Sequence, residues 1–434
     1  MSVDVQFVLN TFAFLIWGAL VMWMAAGFTM LESGSVRTKN ASVICLKNLG
    51  LYAIAGLAFY IIGYNLMYTD VSGFIGSFKL FYNAPAAEVA LLGGDESVLD
   101  DVTGNGYSVM SDWFFQMVFV ATAASIVSGA LAERIRLWAF FLFVLILTAF
   151  IYPIVGAWTW GEGWLYEMGF SDFAGSTIVH STGGWAALAG AIILGPRLGK
   201  FKKDGTVTST PPSSVPIVTL GVFILWFGWF GFNGGSQLAL GGVTDAISIA
   251  GILVNTNLAG AAGVLAAILV SRAILGGFDL FAILNGALAG LVSITAAPTV
   301  HHHGLAIIIG FVGGVICVLS IKLLDKLKID DVVGAVPVHL FAGIWGTIAV
   351  AFTVRGEGMS FIDQLLVQLL GIVAIGAFVF TVSYVVWKLI DIILGGVRVS
   401  PTVERIGQDA AELGVDAYPE FVLMPEEYDD EDGQ

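Results

Sequence analysis

Asp172-Phe-Ala-Gly175-Ser-Thr-Ile-Val179-His180 and Asp331-Val-Val-Gly334-Ala-Val-Pro-Val338-His339 repeat one pattern, Asp-x-x-Gly-x-x-x-Val-His, 159 residues apart. Each opens an apolar run of membrane-spanning length, and an odd number of crossings separates the two openings. One Asp therefore starts on one side of a bilayer and the other on the opposite side, the signature of an inverted repeat about an axis in the membrane plane. If a helix begins at each Asp, eight residues rise about 12 Å, so each Asp lies near a surface and each His reaches toward the midplane. The pseudo-symmetry then brings His180 and His339 together. Ionisable residues at that depth are functional candidates. A lone buried His reads more readily as a packing residue; two at matched repeat positions do not.

The composition agrees with a membrane fold. Of 434 residues, 57% are hydrophobic and 12% charged, with mean hydropathy +0.89. Soluble domains carry about a quarter charged residues, so this chain cannot coat a water-facing surface. The 54 glycines suit close helix packing in lipid. About 20 apolar residues cross a bilayer. Eleven such runs are expected, near 6–31, 43–67, 112–132, 137–157, 175–195, 215–235, 247–270, 279–297, 304–324, 333–353 and 361–388. Asp4 is the sole charge before the first, which reads as a retained helix rather than a cleaved signal. The expected class is an all-α integral membrane protein: an inverted 5+5 repeat plus one extra helix. Residues 1–398 are expected to form a transmembrane domain, with halves of about 1–200 and 210–354 and helix 11 at 361–388, and residues 399–434 an acidic tail.

Charge orients the chain. With the N-terminus outside, 16 of the 18 basic residues fall in cytoplasmic segments, leaving Lys79 and Arg355 outside. The tail from Val399 holds eleven acidic residues against Arg405, which speaks against nucleic acid as a partner. Cys45 and Cys317 sit in apolar runs and read as packing residues. His301-His302-His303 reads as a solvated cluster, with metal binding as the lesser alternative. Asp172 and Asp331 are expected to support their helix starts by accepting backbone N–H groups. Phe115 and Phe119 lie one turn apart, and the Trp226–Ser236 stretch gathers rings around a hydroxyl. Such rings usually form an interfacial belt, but with Ser236 they could cage a small cation.

These motifs resemble the ammonium transporter family (Amt/Mep/Rh). The residues carrying the resemblance are Asp172–His180, Gly228-Trp-Phe-Gly-Phe-Asn-Gly-Gly-Ser236, Gly129-Ala-Leu-Ala-Glu-Arg-Ile-Arg136, Asn285-Gly-Ala-Leu-Ala-Gly-Leu-Val292 and Val336-Pro-Val-His339, in order along the chain to about Tyr418. The resemblance implies a homotrimer in the cell membrane, one path per subunit, with no cofactor and no enzymatic role. It implies an outer site for ammonium or methylammonium at Trp160, Ser236 and Phe119 with Ala174 nearby, a gate of Phe115, Phe119 and Phe232, and pore histidines at His180 and His339. It also implies docking of a PII-type regulator at the C-terminal region. There the family wording is altered to Gly407-Gln408-Asp409…Glu412-Leu413-Gly414, and Glu426–Asp432 is additional.

Ammonium and potassium are similar in size, so a charge-lined pore would separate them poorly. A bare charge is also costly to bury. Both difficulties lessen if ammonium sheds a proton at the gate and ammonia passes the histidines, with or without proton relay. The alternative is an ammonium sensor signalling through the tail.

Overall fold

The structure, a computed structural model, describes residues 2–274 and 276–421. Eleven apolar helices lie where hydropathy placed them: α1 (Val3–Ser35), α2 (Thr38–Tyr68), α3 (Val109–Ala130), α4 (Leu137–Glu167), α5 (Ser176–Leu194), α6 (Val215–Gly235), α7 (Val243–Ile274), α8 (Leu280–Ile294), α9 (His303–Leu327), α10 (Val336–Thr353) and α11 (Phe361–Ile393). Among the described residues ten are long enough to span a membrane unaided, whereas α8 is shorter. The backbone after α8 runs on through a largely buried stretch at 295–300. The outer surface exposes Leu49, Leu57, Phe223, Leu269, Val373 and Ile392, as a lipid-facing exterior requires.

The first helices of the two halves, α1 and α6, pack tightly against each other. A Cβ on Gly221 would lie 2.4 Å from the Leu31 backbone nitrogen, and one on Gly27 would lie 2.8 Å from Leu225 Cγ. Only glycine lets the two backbones approach this closely.

The repeated pattern has a local explanation, and it corrects the expected helix start. Asp172 does not itself open the helix; its side chain is 2% exposed and it precedes the helix by four residues. Its carboxylate accepts the backbone N–H groups of Gly175 (3.1 Å), Ser176 (2.8 Å), Thr177 (2.8 Å) and Ile178 (2.9 Å). These are the donors a helix start leaves unpaired. Asp331 does the same for Gly334 (3.1 Å) and Val336 (2.7 Å). Gly175 and Gly334 take φ of +108° and +81°, a left-handed bend open to glycine. Both helices then begin with a wide π turn, Ser176–Ser181 and Val336–Phe341, and each π turn holds its histidine. Such turns concentrate at functional sites.

At the end where α3 meets α4, ionic contacts tie the two halves together. Arg197 donates to both oxygens of Asp330 (2.8 and 2.9 Å) and to Glu133 (3.0 Å), which also holds Arg37 (2.8 Å). Burial pushes the Asp330 and Glu133 carboxyls up, but the surrounding guanidiniums outweigh it and hold both below the usual carboxylate range. The C-terminal region docks on this same face through a short helix, α12 (Pro401–Ile406). Its buried Glu404 binds Arg398 (2.7 Å), and Asp409 accepts the backbone N–H groups of Ser42 (2.8 Å) and Val43 (2.7 Å) at the start of α2. The additional acidic stretch Glu426–Asp432 lies outside the described residues.

Candidate functional site

Two vestibules open on opposite faces. One, of about 660 Å³, is lined by Phe115, Phe119, Trp160, Asp172 and Ser236, with Tyr64, Tyr68, Tyr107, Asp112 and Gln116 beside them. The other, of about 400 Å³, lies on the Arg197 face and is walled by Asn285, Asp331, Val333 and Gly334.

Between them runs a line of rings. Trp160 meets Phe119 edge-on at 6.0 Å, and its indole N–H donates to the Asp172 carbonyl at 3.1 Å. Phe115 lies 4.7 Å from Phe119. Phe119 stacks on Phe232 at 4.0 Å, Phe232 on His180 at 5.2 Å, and His180 on His339 at 5.2 Å. Phe119 and Phe232 touch face to face, so the line is shut at that point. The expected gate and histidine pair are thus contiguous. Ser236 and Trp160 share the same vestibule, and the Ser236 hydroxyl donates to the Phe232 carbonyl at 2.8 Å, leaving its lone pairs free to accept. Ala174 does not line the vestibule; it is buried, its N–H bound by the Thr295 carbonyl at 3.0 Å.

The two imidazoles meet through Nδ1 at 3.2 Å. One Nδ1 must carry the proton and the other accept it, which sets the two outer Nε2 atoms in opposite states. When the bare Nε2 takes up a proton, the shared proton crosses the 3.2 Å contact and the other Nε2 gives its proton up, the two states are exchanged, so the neutral pair has the geometry to pass one proton along. His180 Nε2 is buried and has no hydrogen-bond partner among the described residues.

Two ring partners escaped sequence reasoning. Trp229 stacks on His180 at 5.0 Å, and its indole N–H donates to Thr295 Oγ1 at 2.9 Å. Phe28 lies 6.2 Å from His339. Each histidine thus faces a ring from the first helix of the opposite half. The signal was present as matched dipeptides, Gly27-Phe28 in α1 and Gly228-Trp229 in α6. His301, His302 and His303 are exposed; His303 Nδ1 contacts Asn255 Oδ1 at 2.7 Å, and no metal-holding cluster occurs among the described residues.

Opposed vestibules joined by a line of rings through an apolar helical bundle are the architecture of a membrane transport protein. The chain belongs to the ammonium transporter family, whose profile, Ammonium Transporter Family, matches residues 12–418. Ammonium transporter Amt2 of Archaeoglobus fulgidus is 37% identical over 438 residues, covering 95% of this chain and 89% of the relative. Ammonium transporter Amt2 of Haloferax mediterranei is 38% identical over 419 residues, covering 93% and 88%. Among solved structures, a Sensor Amt Protein superposes with TM-score 0.85 at 36% identity over 94% of this chain and 99% of its own. Candida albicans Mep2 gives 0.78 at 28% identity over 93% and 89%.

Proposed function

We propose that the chain carries ammonium or methylammonium across the cell membrane, with the Trp160 vestibule outside and the Arg197 face in the cytoplasm. The orientation is supported by Arg37, Arg134, Arg136, Arg197 and Arg398, which gather on one face through their contacts with one another's loops. Ammonium enters the outer vestibule, where the faces of Trp160 and Phe119 and the Ser236 hydroxyl receive it. The stacked Phe119 and Phe232, with Phe115 beside them, bar a hydrated ion, and passing them as a bare charge is costly. Ammonium can leave its proton behind; potassium has none to leave. Ammonia then moves along His180 and His339 while the shared proton position relays charge separately. Asp172 and Asp331 support the site by holding the two π turns. Membership of the family supports a homotrimer in membrane lipid, a PII-type protein at the C-terminal region, and transport rather than catalysis as the activity. The division into a transport domain at 1–398 and an acidic tail at 399–434 belongs to the same proposal.

The observation that carries this reading is the 3.2 Å contact between the histidines, continuous through Phe232 with the outer vestibule. The test is methylammonium uptake and ammonium current in proteoliposomes for His180→Ala and His339→Ala. Both are expected to fall. Full retention of rate and of selectivity over potassium would refute the assignment.

A second reading is an ammonium sensor, favoured by the likeness to the Sensor Amt Protein. Capture of a signalling partner by the C-terminal region, in a protein that gives no flux, would put it first.

A further inference from the structure

Below His339 lies a cavity of about 10 Å³, lined by Phe28, Ser125, Asn285, Val333, His339 and Glu32. That is roughly the room one water or one ammonia molecule requires. Asn285, Val333 and Gly334 line both this cavity and the vestibule on the Arg197 face, so the two share a wall.

Glu32 is 0% exposed, and its two oxygens differ. Oε2 accepts from Ser128 Oγ (2.6 Å) and Asn48 Nδ2 (3.1 Å). Oε1 is buried and has no hydrogen-bond partner among the described residues. A buried carboxylate oxygen left unpaired is expensive, so a structural role alone leaves it unexplained. Lys47 supplies a nearby positive charge without occupying Oε1. Its Nζ donates to the Ser128 carbonyl at 2.7 Å and lies 5.1 Å over the Phe140 ring. The carboxylate is therefore tethered by one oxygen, neutralised at a distance and unpartnered at the other, in a residue that lines one small cavity with His339.

We infer that Glu32 is the proton-exchange group at the cytoplasmic end of the histidine line, returning to ammonia the proton that ammonium gave up at the gate. This rests on the relay proposed above. An N–H bond of the His339 imidazolium breaks and an O–H bond forms on Glu32 Oε1, the proton passing through the one molecule for which the cavity has room, leaving neutral imidazole and a neutral acid. The O–H bond then breaks as an N–H bond forms on ammonia, and ammonium leaves with the carboxylate restored. The repeat itself marks the direction. Phe28 in α1 and Trp229 in α6 are matched, and four residues on from them stand Glu32 and Asn233. Asn233 also has a buried oxygen without a partner among the described residues, but as an amide it cannot take the proton.

The test is ammonium-evoked current in proteoliposomes for the wild type, Glu32→Gln, Glu32→Ala with and without added formate, and Glu32→Asp. A general acid–base group typically contributes a hundredfold or more, so the Glu32→Gln current is expected to fall by at least about tenfold, with half-saturation nearly unchanged. Formate, a small acid that fits the vacated space, should restore part of the Glu32→Ala current. A Glu32→Gln current within about twofold of wild type would overturn the inference, since no acid–base group is that dispensable. So would a Glu32→Ala current that stays low and ignores formate. Should the neutral variants fail to fold, Glu32→Asp decides: an enlarged solvent isotope effect supports the role and a wild-type effect overturns it. A wild type without current would instead remove the underlying relay, which separates the two failures.

Discussion

Replacing Asp172 by Asn removes one carboxylate oxygen from a site that uses both. Oδ1 serves Gly175 and Ser176, and Oδ2 serves Thr177 and Ile178. An asparagine that keeps either pair turns its amide donors toward the other pair, so two charge-assisted bonds are lost whichever way it flips. Hydrogen bonds to charged groups contribute roughly 1.5–3 kcal/mol apiece, so the loss is about 3 kcal/mol or more. Asp331 bonds one N–H through each oxygen, Gly334 to Oδ1 and Val336 to Oδ2, so Asp331→Asn should cost about half as much. Unfolding in mild detergent, followed by helix loss or by trapping of the unfolded form, measures both. The expected order is wild type, then Asp331→Asn, then Asp172→Asn, with transport falling in the same order because His180 and His339 ride on the turns these carboxylates hold. A different result would sink the reasoning: Asp172→Asn as stable as wild type, with only ammonium affinity reduced. The carboxylate would then act on the cation directly, and its four backbone bonds would be incidental.

Gly175→Ala forces a side chain onto φ +108°, with its Cβ 2.5 Å from Val179 Cγ2 and 3.2 Å from Trp160 Cη2. A loss of about 1–3 kcal/mol is expected, together with weaker methylammonium uptake as Trp160 is displaced. Arg197→Gln leaves Asp330 and Glu133 buried without their shared cation; breaking such a pair costs about 3–5 kcal/mol, measurable by the same unfolding assay. Asp330 and Glu133 are held below their unfolded values, so their contribution is present above those values and fades as pH falls through the depressed folded ones. A pH series of unfolding midpoints should therefore drop on the acid side below about pH 4, and Asp330→Asn should flatten that drop.

Why some of this was legible in the sequence and some was not follows from the kind of information each feature needs. Helix positions depend on apolar length, and all eleven lie where hydropathy put them. The meeting of His180 and His339 depends on a repeated pattern and its inversion, both readable from residues alone. The burial of the Asp172 side chain was not readable, because it depends on where four backbone donors find their acceptor. A polar residue before an apolar run looks the same whether it caps a helix at the surface or inside the protein. The π turns were hidden for the same reason: they leave no residue signature beyond the Gly that bends into them. Trp229 and Phe28 were overlooked because a ring in an apolar helix is indistinguishable from belt or core until its neighbour is known. The matched Gly-aromatic dipeptides carried that information only once α1 and α6 were seen packed face to face.

The difference between the halves is as informative as their likeness. A perfect inverted repeat would look the same from both sides and could confer no preference for the end at which a proton is taken up or released. Here the departures cluster along the line of rings. Trp160, Phe119 and Ser236 furnish one end with ring faces and a hydroxyl acceptor, suited to holding a cation that still has all its protons. The other end offers Glu32, an acid whose buried Oε1 has no hydrogen-bond partner among the described residues and which lines one small cavity with His339. The symmetric elements, two capped Gly bends and two histidines in π turns, build the relay proposed above. The asymmetric ones decide what meets it at each mouth. Exchanging the matched pair, Glu32→Asn with Asn233→Glu, should therefore move the acid to the Trp160 side and alter the ratio of inward to outward ammonium current. Unchanged rectification in that double variant would show that the direction of transport owes nothing to this pair.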